Sequence, residues 1–271
     1  MEIATILAER SMLAFGLCLF LIHLVVYELG YRVGRRLSGG AGNAPEGVGV
    51  VVGGMLALLA FVLALTLSYA NTRFAERRVG SLSEANAIGT SWLRAKAIGT
   101  PRGDEIAALL EQYTVVRADF VRAGRDTTVT GDLNQRTSAL QSQIWGHLSA
   151  IVRERPDAIS GALMTSLNET FDASTNERFA FETRLPMQLF WLLIGITLIT
   201  LACLGYQFGL RAKPLRFLIA LLTLMWTSVI VDILDLASGR IGKFRTGTAA
   251  YEWTLNGYKS GVTIPPAPAG R

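Results

Sequence analysis

Residues 47–70 read GVGVVVGGMLALLAFVLALTLSYA, and residues 71–98 follow as NTRFAERRVGSLSEANAIGTSWLRAKAI. The first stretch carries no charge over a length that crosses about 30 Å of hydrocarbon as a helix. The second is polar but holds no proline or turn cluster before Gly99. Together they predict one rod that spans a bilayer and continues outside it to about Lys96. Gly49, Gly53, Ala57, Ala60, Ala64 and Ser68 recur every three or four positions. At about 100° per residue they form one stripe along the helix. Gly54 and Phe61 lie at its edge, and Asn71 and Arg78 extend it beyond the membrane. Such a stripe has two readings. It lets helices pack closely, or it forms a pore wall with Phe61 as a hydrophobic constriction and Arg78 as a cationic mouth.

Outward from this rod, three more apolar blocks have spanning length: about 11–33, 187–210 and 215–236. Tyr27, Tyr31, Tyr69, Trp191 and Tyr206 sit near their ends, where aromatic side chains favour the interface. The first block has no basic leader and no small-residue cleavage site after it, so it reads as a retained helix. The bulk composition agrees with a membrane protein. Of 271 residues, 51% are apolar and 17% charged, with a mean hydropathy of +0.37. Soluble domains are nearer about 25% charged. The net charge of +5 and pI near 9.5 come mostly from arginines that flank apolar blocks, which points to membrane flanks rather than nucleic acid. Cys18 and Cys203 lie inside those blocks and read as small buried hydrophobes.

The fold expected is all-α: four transmembrane helices with an extramembrane helical bundle inserted between helices 2 and 3. The divisions are 1–70 for spans 1 and 2, 71–186 for the bundle, 187–236 for spans 3 and 4, and 237–271 for an irregular Gly- and Pro-rich tail. Within the bundle Leu133, Thr137, Leu140, Ile144, Leu148 and Ile151 step by three or four, as one helical face does. Ile159, Leu163, Leu167 and Phe171 do the same. Breaks fall at 99–103, 123–131 and 155–157, with Asp104 and Asp157 as N-cap candidates. Four spans place the termini and the bundle on one side. Short-loop arginines and lysines (Arg32, Arg35, Arg36, Arg211, Lys213, Arg216) outweigh Arg10, Arg240, Lys243 and Arg245, which puts the short loops in the cytoplasm; counting the bundle flanks reverses this, so charge leaves orientation open.

Three polar features inside or beside the spans stand out. His23, midway along the first span, reads as a proton-relay group or as a neutral imidazole bonded to Thr197, Thr227 or Ser228. Glu28 is spaced to pair with Arg32. Asp232 and Asp235 end the fourth span on the side of Arg73, Arg77 and Arg78, a pattern for ion pairs that lock the fourth helix against the second, or for gating. No catalytic constellation, nucleotide fingerprint or metal-ligand cluster is present in the sequence, so no enzyme activity and no cofactor is expected.

The second span and its extension resemble the bacterial bestrophin-like family of four-helix membrane proteins. The resemblance rests on the Gly-rich helix start, Leu59-Ala-Phe61 followed by Thr66 and Ser68, the Arg73-Phe74 and Arg77-Arg78 exit, and Glu84-Ala-Asn-Ala-Ile-Gly-Thr90 leading to Leu93-Arg94-Ala95. Arg184-Leu-Pro186, Gly205-Tyr206 and Ile233-Leu-Asp-Leu236 add to it, so that it covers most of residues 1–245. It implies kinship with bestrophins, pentameric anion channels whose second span lines the pore and whose extramembrane part is cytosolic. Bestrophins carry several aromatic neck residues; here Phe61 alone stands between Gly47 and Ser68, and no acidic calcium clasp is recognisable.

The expected function is therefore an oligomeric, anion-preferring ion channel in a bacterial inner membrane. Its axial pore would be lined by Gly49, Gly53, Ala57, Ala60, Phe61, Ala64, Ser68 and Asn71. The expected partners are the lipid bilayer, further copies in a closed ring and permeant ions, with no nucleic acid. The alternative is a non-conducting scaffold, sensor or regulatory subunit whose bundle binds a partner.

Overall fold

The structure is a computed structural model, described here for residues 11–38, 45–124, 126–183, 186–240 and 242–263. Eight helices occur among these residues: α1 Met12–Leu37, α2 Glu46–Ala97, α3 Pro101–Arg122, α4 Thr127–Glu154, α5 Ala158–Glu182, α6 Met187–Leu210, α7 Arg216–Ser238 and α8 Ala249–Lys259. No strand is present among them. The rod is continuous: α2 runs for 52 residues, which at about 1.5 Å per residue is far longer than a bilayer is thick. α1, α2, α6 and α7 are each long and apolar enough to cross a membrane.

The chain divides into two compact units, residues 1–74 with 184–244 and residues 75–183 with 245–271. In the first, α2 turns Leu59, Leu63 and Ala70 into a core shared with Phe15 and Leu19 of α1, Leu193 and Leu201 of α6, and Trp226, Ile230 and Ile233 of α7. The closest packing joins α1 to α6. A Cβ on Gly30 would strike the carbonyl of Ala202, and one on Gly34 the carbonyl of Tyr206. Reciprocally, Gly205 abuts the Tyr27 carbonyl and Gly209 the Tyr31 carbonyl. Two Gly-xxx-Gly pairs thus face each other, and the contacts advance together, so α1 and α6 are parallel. The cause is steric: without side chains at these four positions the backbones approach within van der Waals distance. α7 runs antiparallel to α1, with Val231 against Gly16 and Thr227 against His23. The tight α6–α7 connection holds Ala212 and Leu215 at positive φ, and the Tyr27 hydroxyl donates to the Pro214 carbonyl there at 2.5 Å.

In the second unit, α3, α4, α5, α8 and the outer part of α2 enclose a core that includes Ile88, Trp92, Ile106, Leu110, Tyr113, Ile144, Leu148, Leu163 and Tyr251. The six-residue face predicted for α4 is buried throughout. Asp157 caps α5 in a capping box with Ser160. Asp104 is not a cap: Thr100 caps α3, Pro101 occupies its first turn, and Asp104 sits inside that turn and pairs with Lys96 at 2.5 Å. The buried face of α5 departs from the expected one beyond Leu167. It continues through Thr170, Ser174, Glu177 and Phe181, while Phe171 is half-buried and Ile159 exposed. The tail is likewise not irregular throughout, because Ala249–Lys259 folds as α8. Tyr251 is its buried anchor, and Tyr258 stacks on Trp92 with ring centroids 4.9 Å apart.

Candidate functional site

Along the membrane part of α2, the two faces differ in kind. Val52, Leu59, Leu63, Thr66 and Ala70 are buried against the other spans. Gly53, Ala57, Ala60, Phe61, Ala64, Ser68 and Asn71 are exposed in the protomer. Phe61 is 60% exposed, and a Cβ at Gly53 or Gly54 would meet nothing within 4 Å. Gly49, at the start of the stripe, is half-buried, and a Cβ there would lie 3.2 Å from Gln207 Nε2 on α6. Arg78, further along the same helix, is exposed. The outward faces of α1 and α7 have another character. They present Leu13, Leu17, Leu21, Val25 and Leu29 on α1, and Phe217, Leu218, Leu221, Leu224 and Met225 on α7. Large aliphatic side chains are what lipid tails contact at no loss. The Gly/Ala/Ser stripe of α2 offers little apolar area to lipid, although the same helix also exposes Val50, Val51, Leu58 and Leu65 beside it.

The polar candidates in and beside the spans have these neighbours. His23 is fully buried, and its Nδ1 lies 3.0 Å from Thr227 Oγ1, one of the three partners the sequence offered. Glu28 accepts from Arg32 at 3.3 Å and from Arg216 at 3.2 Å. Asp235 is buried, and its carboxylate accepts the backbone N–H groups of Lys243 and Phe244 at 2.8 and 3.4 Å. It fills the space beside Gly242, whose φ of +78° and missing side chain the turn requires. Asp232 is exposed, and Arg73 lies over the Tyr69 ring at 6.0 Å. Arg73, Asp232 and Asp235 belong to the first unit, whereas Arg77 and Arg78 belong to the second.

The second unit contains a buried polar cluster that composition and periodicity did not reveal. Glu84 and Arg117 are both inaccessible to solvent and form a bidentate pair at 2.5 and 3.1 Å. The Tyr251 hydroxyl donates to Glu84 Oε2 at 2.6 Å, and Arg117 also reaches the Ser174 carbonyl at 3.3 Å. Arg117 lies over the Phe120 ring at 4.5 Å. Burial works against the guanidinium charge, but the Glu84 carboxylate outweighs it and holds Arg117 above its usual pKa. Burial raises the Tyr113 hydroxyl to about 12, with Glu84 adding to it. Glu177 is the second buried carboxyl, accepting from Ser81. The stretch 84–95 is the docking seam of α2 within this unit. Glu84 receives Arg117 and Tyr251, the Ala85 carbonyl receives Thr254, Ser91 meets Thr170, Trp92 donates to Glu111, and Arg94 donates to the Ala162 carbonyl. Together these bonds tie this part of α2 to three helices of the bundle, α3, α5 and α8. The signal for Glu84 was present in its register: it shares a face with Ile88, Ser91 and Ala95, all buried.

Comparison with solved structures gives the same architecture. A bacterial bestrophin homologue from Klebsiella pneumoniae with a tryptophan-to-alanine mutation superposes with a TM-score of 0.71 at 14% identity, covering 91% of this chain and 96% of its own. A second structure of a bestrophin homologue from Klebsiella pneumoniae gives 0.64 at 14% identity, covering 87% and 96%. A crystal structure described as a membrane protein gives 0.69 at 14% identity, covering 89% and 96%. Comparison with curated protein sequences yields no match. The Bestrophin-like domain matches residues 17–250, across all four spans and the bundle, and the chain belongs to the bestrophin-like family of multi-pass membrane proteins.

Proposed function

We propose that the protein is an anion-preferring ion channel, assembled as a closed ring in a bacterial inner membrane, with α2 of each copy lining a pore on the ring axis. The observation that carries the reading is the exposed Gly/Ala/Ser face of α2, set against the aliphatic outward faces of α1 and α7. Four spans are too few to enclose a pathway within one copy, so the path belongs between copies, and closed symmetry follows because open head-to-tail contacts would polymerise. Gly53, Ala57, Ala60, Ala64, Ser68 and Asn71 line it, with Gly49 at its start. Phe61 narrows it by a hydrophobic ring, and Arg78 biases the mouth toward anions. Family kinship with bestrophins adds the pentamer and a cytosolic bundle to this reading.

The test is halide flux from liposomes loaded with the purified protein, together with the mass of the assembly. A ring with flux that Ala64→Trp abolishes supports the pore. A monomer or dimer, or a ring that passes no ion under varied pH and voltage, overturns it and favours a scaffold or regulatory subunit.

A further inference from the structure

Glu177 takes no part in the pore reading, and its setting is unusual for a carboxylate. It is fully buried at the end of the polar face of α5. Oε1 accepts from the Ser81 hydroxyl. Oε2, also buried, has no hydrogen-bond partner among the described residues. It rests over Gly80 of α2, where a Cβ would collide with it. The missing side chain makes a notch into which the carboxyl fits.

An ionised carboxylate away from water needs hydrogen bonds on both oxygens or a dedicated counter-ion. The charged and titratable groups that face Glu177 are Arg77 and Glu84 on α2, Arg117 on α3 and Tyr251 on α8. Arg117 is already engaged by both oxygens of Glu84 and by the Ser174 carbonyl. Glu84 repels a second negative charge. On its own helix, Arg178 is turned outward to Glu182 at 2.7 Å. Arg77 favours the charged form, but burial and the Glu84 carboxylate outweigh it, so a proton on Glu177 meets less electrostatic opposition than a charge does. Burial, with help from Glu84, lifts the carboxyl to about 7, against the pull of Ser81, Arg117 and Arg77.

We infer that Glu177 is a reversible proton-binding site, and that its protonation sets how α5 seats on the Gly80–Ser81 turn of α2. The consequence for conduction rests on the channel reading, because α2 is the helix assigned to the pore; the proton site itself does not. With the proton bound, α5 lies closed on the notch. When it leaves, the buried charge draws in water or a cation, and α5 and α2 separate at this turn.

The linkage has a definite sign. A carboxyl raised from 4.5 to about 7 in the fold makes the native state hold a proton that the unfolded chain has lost. Stability from this group is complete below about 4.5, falls as pH rises, and is gone above about 7.

The experiment is infrared difference spectroscopy of the full-length protein in lipid nanodiscs across this range. A protonated-carboxyl band that titrates near neutral pH in wild type and is absent from Glu177→Gln supports the site. No such band, or one that titrates in the ordinary carboxylate range, overturns it. Ser81→Ala removes the hydrogen bond that favours the charge and should move the midpoint upward; an unmoved midpoint assigns the band elsewhere and also overturns the site. In liposomes, flux that changes with the same midpoint and becomes pH-insensitive in Glu177→Gln supports the coupling. Flux whose pH dependence survives that substitution overturns the coupling. Absence of flux with the band intact rejects the channel reading and leaves the proton site standing.

Discussion

Two sets of small residues run along the membrane helices, and they do opposite things. On α1 and α6, Gly30, Gly34, Gly205 and Gly209 are pressed against backbone carbonyls. On α2, Gly53 and Gly54 face open space, and Ala57, Ala60, Ala64 and Ser68 are exposed beside them. Spacing is the same in both, so spacing alone does not tell a packing seam from a free surface. The difference lies in the neighbours. The α1–α6 seam has a reciprocal motif on its partner, while in the protomer the α2 stripe has none along most of its length.

The contrast can be broken at several points. The largest effect is expected from Gly205→Val. Its new side chain meets the Tyr27 backbone, which cannot rotate away, and a loss of about 3 kcal/mol or more is expected. A thermal melt and gel filtration in detergent check it, and wild-type behaviour would show that α1 and α6 are not in close contact. Next comes Ala64→Trp on the exposed stripe. It should leave the melt unchanged and reduce halide flux by roughly tenfold or more, as a bulky ring in a narrow pore does. A variant that unfolds instead would place Ala64 in a packed seam. Phe61→Ala removes a ring that is 60% exposed in the protomer. It should alter flux several-fold with little loss of stability; a loss of about 3 kcal/mol, the size seen for core phenylalanines, would mean that Phe61 is buried in the assembly. The smallest effect is that of Gly53→Ala. With nothing near its Cβ, the helix should gain up to about 1 kcal/mol from propensity. A drop in the melting temperature would reveal a close neighbour on that side.

The architecture was legible because its signals are long. Charge-free runs of spanning length, and an unbroken polar continuation after residue 70, predict α2 to within a few residues of Ala97. The stripe from Gly49 to Asn71 was legible as a pattern, but whether it faced inward or outward depended on α6 and α7, far away in the chain. The buried cluster was harder to see. Glu84, Arg117 and Glu177 come from three helices, and nothing local marks a charged residue as buried before its partner is known. In the sequence the apolar face of α5 runs through Leu163 and Leu167 onto Phe171, because the buried positions that continue it, Thr170, Ser174 and Glu177, are polar. Hydrophobic periodicity ends where a helix buries polar groups instead. α8 was missed for a related reason: an 11-residue helix in a Gly- and Pro-rich tail gets its order from Tyr251 and Tyr258 docking on the bundle.

The division of the outer unit between residues 75–183 and 245–271 has a consequence for biosynthesis. Tyr251 reaches Glu84 only after α6 and α7 have been translated. Those two helices must return the polypeptide to the compartment it left, which an even number of crossings alone achieves. Synthesis therefore delivers the phenol of the Glu84–Arg117–Tyr251 cluster last, after both helices of the final hairpin.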